Sequence, residues 1–226
     1  MVNVVQDILP KGAKNRPGYS MKPTFITVHN TGNAANGANA AGHNAFIKSA
    51  NSGTTSWHFT VDEKEIYQHL PITENAWHAG DGGNGPGNRT SIGIEICENA
   101  DGSEPQGEEN AKDLICKLMM ENGIPLENIV PHKHWTGKEC PHVILPHWDQ
   151  FIDGVKERVD AENARIAAEQ AKAAAQKLYA QIPDWARPTM IKLHERGTVA
   201  DPLGDQSFYR VMVLLDKIGL FEKFAA

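Results

Sequence analysis

The sequence VPHKHWTGKECP, at residues 130–141, is the stretch around which the rest of the chain can be arranged. It places His132 and Cys140 in one short loop that contains glycine and proline. Imidazole and thiolate are ligands that suit Zn²⁺ in a tetrahedral site. Because two protein ligands are too few for a stable catalytic site, we expect a third ligand elsewhere in the chain.

The best candidate for the third ligand is His29, in FITVHNTG at residues 25–32. There an apolar, β-branched run, typical of a buried strand, ends in a histidine at a turn. Together His29, His132 and Cys140 leave one open position on a tetrahedral metal, where water or substrate binds, and this favours catalysis over a structural role. We expect the loop to be extended, and we place His134 behind a ligand or at the surface.

Five segments in the same order resemble one family, the zinc-dependent N-acetylmuramoyl-L-alanine amidases of type 2. This family includes phage lysins and is similar to the peptidoglycan-recognition proteins. The likeness covers roughly residues 20–150, and it lies in VHNT (28–31), SWHF (56–59), AWHAG (76–80), SIGIE (91–95) and the stretch from Pro131-His132 to Cys140-Pro141.

The resemblance implies a mixed central β-sheet flanked by helices, with zinc at one end of the sheet. It also implies that a zinc-activated water hydrolyses the amide between N-acetylmuramic acid and L-alanine of peptidoglycan. The expected context is a phage endolysin that lyses a Gram-positive host, with a bacterial autolysin as the alternative. Strands that alternate with helices independently favour an α/β domain.

Two residues are the candidates for catalysis beside the metal. Glu95 lies inside the apolar run 92–97, where burial would raise its pKa toward the range of a general base; the alternative is a glutamate on a solvent-facing strand surface. Lys138 precedes Cys140 by two residues and would stabilise the developing oxyanion; the alternative is a solvated loop lysine. The resemblance favours the catalytic role at both positions.

Substrate contacts are assigned to Trp57, His78 and Asn30. Some family members carry tyrosine where this chain has Trp57, and because tryptophan can only donate from its indole nitrogen, we place Trp57 in the cleft wall. His78 lies beside the glycine-rich segment 79–88, which could border a cleft. A surface role for His78 is the alternative.

Two other classes of function compete with an amidase. In a non-catalytic peptidoglycan-binding module, which the recognition proteins exemplify, the cysteine ligand is lost, whereas Cys140 is present here. In a cysteine peptidase, Cys140 would be the nucleophile and His132 the base, but that interpretation leaves His29 and Glu95 without roles. A net charge of -6 and the lack of a basic stripe argue against a nucleic-acid partner.

The chain of 226 residues is long enough for one large domain and one small one. We expect a catalytic domain over 1–158 with an irregular lead-in over 1–23, an Ala-rich helical linker over 159–182, and a small all-α domain over 183–226. Within the last, Asp184 is the expected N-cap of a helix that ends before Gly197. This tail is predicted to bind wall carbohydrate or to mediate a homodimer through its own helices or the linker helix; the alternative is a stabilising extension.

The small number of cysteines and the sequence of the N-terminus lead to an expectation about where the protein is made and where it acts. Cys97 and Cys116 lie in apolar runs and are expected to be buried rather than to form a disulfide. No signal peptide or membrane-spanning segment is recognisable. The expectation is synthesis in the cytoplasm and action on the wall after the membrane has been opened, as by a holin.

Overall fold

The computed structural model describes residues 4–222. The strands are β1 (Val4–Gln6), β2 (Phe25–Asn30), β3 (Phe59–Val61), β4 (Ile66–Gln68), β5 (Ser91–Ile96) and β6 (Ile129–Pro131). The helices are α1 (Ala40–Lys48), α2 (Pro86–Thr90), α3 (Glu104–Asn122), α4 (Lys133–Thr136), α5 (Trp148–Tyr179), α6 (Arg187–Glu195) and α7 (Gln206–Lys217).

The six strands form one mixed sheet in the order β1-β4-β3-β5-β2-β6. Only β3 and β4 pair antiparallel among these neighbours; the other pairs are parallel. The central strands β2 and β5 are almost wholly buried, as expected of parallel strands covered on both faces. Apolar residues of α3 and of the first turns of α5 pack in the same core, so the predicted mixed sheet flanked by helices is confirmed.

The turn between β3 and β4 shows how a hairpin forms here without glycine. One carboxylate oxygen of Asp62 accepts hydrogen bonds from the backbone N–H groups of Lys64 and Glu65, at 2.7 and 2.6 Å. The other oxygen accepts from the N–H of Ala40, at 2.9 Å, and so ties the start of α1 to the hairpin. An Asx turn of this kind replaces the backbone freedom that glycine would provide.

Two sequence predictions about local structure in this part of the chain are wrong. Residues 4–6 are not irregular but form β1, because a β-branched pair completes the sheet edge beside β4. The loop that carries His132 and Cys140 is not extended, since residues 133–136 form the helical turn α4, which Gly137 ends in a left-handed conformation (φ 78°). α3 begins at Glu104 and has a proline in its first turn.

The chain divides into two compact units, Met1–Ala161 and Glu162–Ala226. In the second unit α6 and α7 enclose a small core that contains Ile182, Met190 and Tyr209. Asp184 is not the N-cap of α6, which begins at Arg187; its carboxylate instead forms an ion pair with Arg187 at 2.6 Å. The cap of α7 is Asp205, whose side chain accepts a hydrogen bond from the N–H of Phe208.

Cys97 and Cys116 are buried, as predicted. Among the helices within residues 4–222, none combines the length and the apolar character needed to cross a membrane.

Candidate metal centre

The three predicted ligands meet at one end of the sheet. His29 lies near the end of β2 and His132 directly follows β6, and because these strands are parallel neighbours, their carboxyl ends lie side by side. Cys140 arrives from the loop after α4. One ligand atom of each residue lies within 4.8 Å of the others, and all three side chains are buried. Sequence reasoning therefore selected residues that the fold brings together.

The Nδ1 atoms of the two histidines make this cluster suitable for a metal ion. Nδ1 of His29 lies 3.7 Å from Sγ of Cys140. Nδ1 of His132 is buried and has no hydrogen-bond partner, which is costly for a polar atom unless a ligand satisfies it. Two imidazoles and one thiolate form the donor set of a catalytic zinc site with an open fourth position. The residues present thus fit Zn²⁺.

Burial shifts the pKa values of the two histidines and of the cysteine in opposite directions. Burial holds the pKa of His29 well below its usual range, and the neighbouring His78, His132 and Lys138 lower it further. Burial likewise lowers the pKa of His132. Both rings are therefore neutral near pH 7 and can offer lone pairs. Burial raises the pKa of the Cys140 thiol to about 11, so a metal cation is needed to hold this residue as a thiolate.

Glu95 lies beside the cluster, because β5 pairs with β2 so that Glu95 is opposite His29. Burial raises its pKa to about 8, while the charge of Lys138 acts in the lowering direction. Its Oε2 is buried without a hydrogen-bond partner. A carboxylate with such a pKa, next to an open metal position, can accept a proton near neutrality.

Lys138 is exposed at the edge of the site. Its charge lowers the pKa of His29, of Glu95 and of Cys140, so the ammonium group lies close enough to act on all three. Its backbone carbonyl accepts a hydrogen bond from the N–H of Cys140 at 2.7 Å. The lysine is therefore connected to the ligand loop while its side chain remains free in solvent.

A cavity of about 500 Å³ adjoins the cluster, and Glu95 and Trp57 form part of its wall. The Trp57 ring is buried, and its indole N–H donates to Oγ1 of Thr60 at 2.7 Å, so its single donor is already used. Sequence reasoning missed the opposite wall, which the Asn- and Gly-rich segment 33–38 and Phe46 supply. The position of that segment directly after the His29 strand was the available signal.

The other predicted site residues lie behind or beside the ligands. Asn30 is buried; its side-chain oxygen accepts from the N–H of Val143, and its backbone N–H donates to the Cys140 sulfur. His78 is buried, with Nδ1 at 2.9 Å from Nε2 of His29, and burial lowers its pKa to about 3. His134 is exposed and packs on Trp135. Contact of Asn30 or His78 with substrate stays a prediction.

The mixed sheet, with two histidines and a cysteine grouped at its strand ends, presents a candidate site for one metal ion. The sequence profile of the family described as N-acetylmuramoyl-L-alanine amidase (Amidase_2) matches residues 19–143. The chain belongs to this family.

Relatives and solved structures agree with that assignment. The chain is 61% identical over 155 residues to the N-acetylmuramoyl-L-alanine amidase XlyA of Bacillus subtilis, and 59% identical over 155 residues to CwlH of the same organism. These matches cover 69% of this chain, but 52% of XlyA and 62% of CwlH, so the chain spans little more than half the length of these relatives. The structure of the catalytic domain of XlyA superimposes with a TM-score of 0.66, covering 68% of this chain and 99% of that domain.

Proposed function

We propose that the chain is a zinc-dependent N-acetylmuramoyl-L-alanine amidase that hydrolyses the amide between N-acetylmuramic acid and L-alanine in peptidoglycan. The observation that carries this proposal is the partly buried Glu95, whose Oε2 is buried, opposite His29 in the sheet and on the wall of the adjoining cavity. The names of the relatives XlyA and CwlH support the scissile bond and the substrate class.

The ligands would be His29, His132 and Cys140. A zinc ion held there supplies Lewis-acid polarisation of the scissile carbonyl and makes water more acidic. Glu95 accepts the proton of the attacking water as the oxygen adds to the carbonyl carbon, and it delivers that proton to the departing nitrogen of L-alanine when the C–N bond breaks. Lys138 stabilises the negative charge that develops on the carbonyl oxygen.

The raised pKa of Glu95 supports both proton transfers. A carboxyl group with a pKa of about 8 binds a proton tightly enough to take it from an acidified water, yet can release it to an amine. Trp57 would form a wall against the sugar or the peptide stem, because its indole N–H is already bonded to Thr60 and so has no proton to offer.

The biological setting is a further part of the proposal. High identity to XlyA and CwlH supports a wall-degrading role on a Gram-positive cell, as a phage endolysin released through a permeabilised membrane or as a bacterial autolysin. The second unit would bind wall carbohydrate or join two copies of the chain. Its helix α7 exposes Val211, Leu214 and Ile218 at helical spacing, which supports a contact surface.

Digestion of purified Bacillus walls tests the amidase proposal. Lysis should stop when the metal is chelated, return with Zn²⁺, and release new L-alanine amino termini without new reducing sugars. Cys140→Ser should lose zinc and activity together, whereas Glu95→Gln should keep zinc and lose activity. Lysis by metal-free protein that thiol alkylation abolishes would instead indicate a cysteine peptidase. Bound zinc without any hydrolysis, in a protein that sediments with walls, would indicate a binding module.

A further inference from the structure

The segment His78–Ala79 contacts both histidines of the candidate metal centre. The His78 ring places Nδ1 at 2.9 Å from Nε2 of His29. The next residue, Ala79, offers its backbone carbonyl to the ring of His132. A Cβ added at Gly80 would lie 3.5 Å from Nε2 of His132, which places this ring nitrogen against the same segment. Two consecutive residues thus support two ligands that come from different strands.

These contacts determine where the protons lie on the ligand rings. Nδ1 of His29 faces the Cys140 sulfur, so this nitrogen is the one available to a metal, and the Nε2–H must donate to His78. His78 can accept only if its own proton is on Nε2, where the carbonyl oxygen and hydroxyl of Ser91 lie at 3.4 Å. In His132, the bond to Ala79 leaves the buried, unpaired Nδ1 as the free atom.

The side chain of Asn88 fixes this segment in place. Its Oδ1 accepts hydrogen bonds from the backbone N–H groups of His78 and Ala79, each at 2.8 Å, and its amide donates to the carbonyl of Gly82 at 3.0 Å. Asn88 is buried, so these bonds are protected from water. Gly93 provides the space for the His78 ring, because a Cβ there would come within 2.8 Å of it.

We propose that the His78–Ala79 segment, held by Asn88, sets the orientation and the proton position of both histidine ligands, so that His78 and Asn88 are positioning residues for the metal. The inference rests on the proposed zinc function. Groups that hold metal-ligating histidines typically contribute about 10- to 100-fold to metal affinity. Asn88 would reach the centre entirely through the backbone, without touching a ligand.

Zinc affinity, measured in the full chain by competition with a chromophoric chelator, tests the proposal. His78→Asn keeps an acceptor oxygen at the place of Nδ1, whereas His78→Gln carries its oxygen further out and His78→Leu carries none. We expect His78→Asn to bind Zn²⁺ nearly as tightly as the wild type. His78→Gln, His78→Leu and Asn88→Ala should each bind about 10- to 100-fold more weakly.

His58 provides the matched control. It is also buried, its ring centroid lies 6.1 Å from that of His78, and among the described residues its ring nitrogens bond to the backbone N–H of Gly93 and the carbonyl of Glu74. His58→Leu should therefore lower the thermal stability of the metal-free protein without a matching loss of zinc affinity. If affinity simply follows stability across the His58 and His78 variants, the role is only structural and the proposal is overturned.

Two further outcomes distinguish this inference from the proposed function. Wild-type protein that binds no zinc would refute the zinc site itself and this inference with it. Wild-type protein that binds zinc tightly, with affinity unchanged in His78→Leu and Asn88→Ala, would refute only the positioning role. A His78→Asn variant as weak as His78→Leu would contradict the importance of the acceptor at Nδ1.

Discussion

Replacing Glu95 by glutamine should stabilise the metal-free protein at neutral pH while it abolishes activity. Burial raises the pKa of Glu95 to about 8, against a value of 4.5 for an unperturbed glutamate. Between these two pH values the folded protein holds a proton that the unfolded chain has released. Glutamine keeps the shape of the side chain and cannot ionise, so the variant avoids this penalty.

The sign and size follow from proton linkage. A group whose pKa is raised by folding contributes stability that is fully present below the unfolded pKa and is lost as the pH rises through the folded one. The free energy of unfolding should thus fall between pH 4.5 and pH 8 because of Glu95. With roughly 1.4 kcal/mol for each pH unit between the two pKa values, the loss is about 3 kcal/mol at pH 7 and about 4 kcal/mol at pH 8.

Urea denaturation of chelated wild type and Glu95→Gln at pH 5 and at pH 8 measures this difference. The buried histidines titrate in both proteins, so their contributions cancel. The advantage of Glu95→Gln should be about 1 kcal/mol at pH 5 and about 4 kcal/mol at pH 8. Glu127→Gln, at an exposed position, is the control and should leave the pH dependence unchanged. An advantage of equal size at both pH values would refute the assignment of a buried, proton-holding Glu95.

Three further predictions concern the candidate site and the sheet and turn that support it. Lys138→Ala should lower kcat about 10²- to 10³-fold with zinc content unchanged. Because the lysine lowers the pKa of Glu95, its removal should also move the acidic limb of the pH–rate profile to higher pH. An acidic limb that stays in place would contradict this coupling. Gly93→Ala should destabilise the protein by about 1–3 kcal/mol in thermal denaturation, since its Cβ would meet the His78 ring at 2.8 Å; a neutral effect would mean that the ring can move aside. Asp62→Ala should cost about 1–3 kcal/mol, because three backbone N–H groups lose their acceptor, and chemical denaturation at constant pH measures it.

The sheet and the three ligands were predictable because their signals are local. His29 ends an apolar β-branched run, and His132 and Cys140 flank a short glycine-containing loop; parallel strands then bring such ends together. Glu95 was recognisable as a carboxylate inside an apolar strand, where burial without a function is costly.

The remaining features depend on contacts between distant parts of the chain. The helical turn α4 is too short to leave a periodic pattern, so the loop looked extended. The position of His78 behind His29 depends on residues 49 positions apart in sequence. Asp184 has the side chain of a typical N-cap, but its carboxylate binds Arg187 instead. Pro188 lies in the first turn of α6, a position that proline favours, and so the helix begins later than predicted, at Arg187.

The candidate metal centre brings together His29 and Cys140, which lie 111 positions apart in the sequence. A bound ion would tie these two distant segments together in the folded protein, and because such a site rarely persists in an unfolded chain, the binding free energy of the ion would add to the stability of the fold. Unlike a disulfide, this link needs no oxidant. The same domain would remain tied together in reducing and in oxidising surroundings alike.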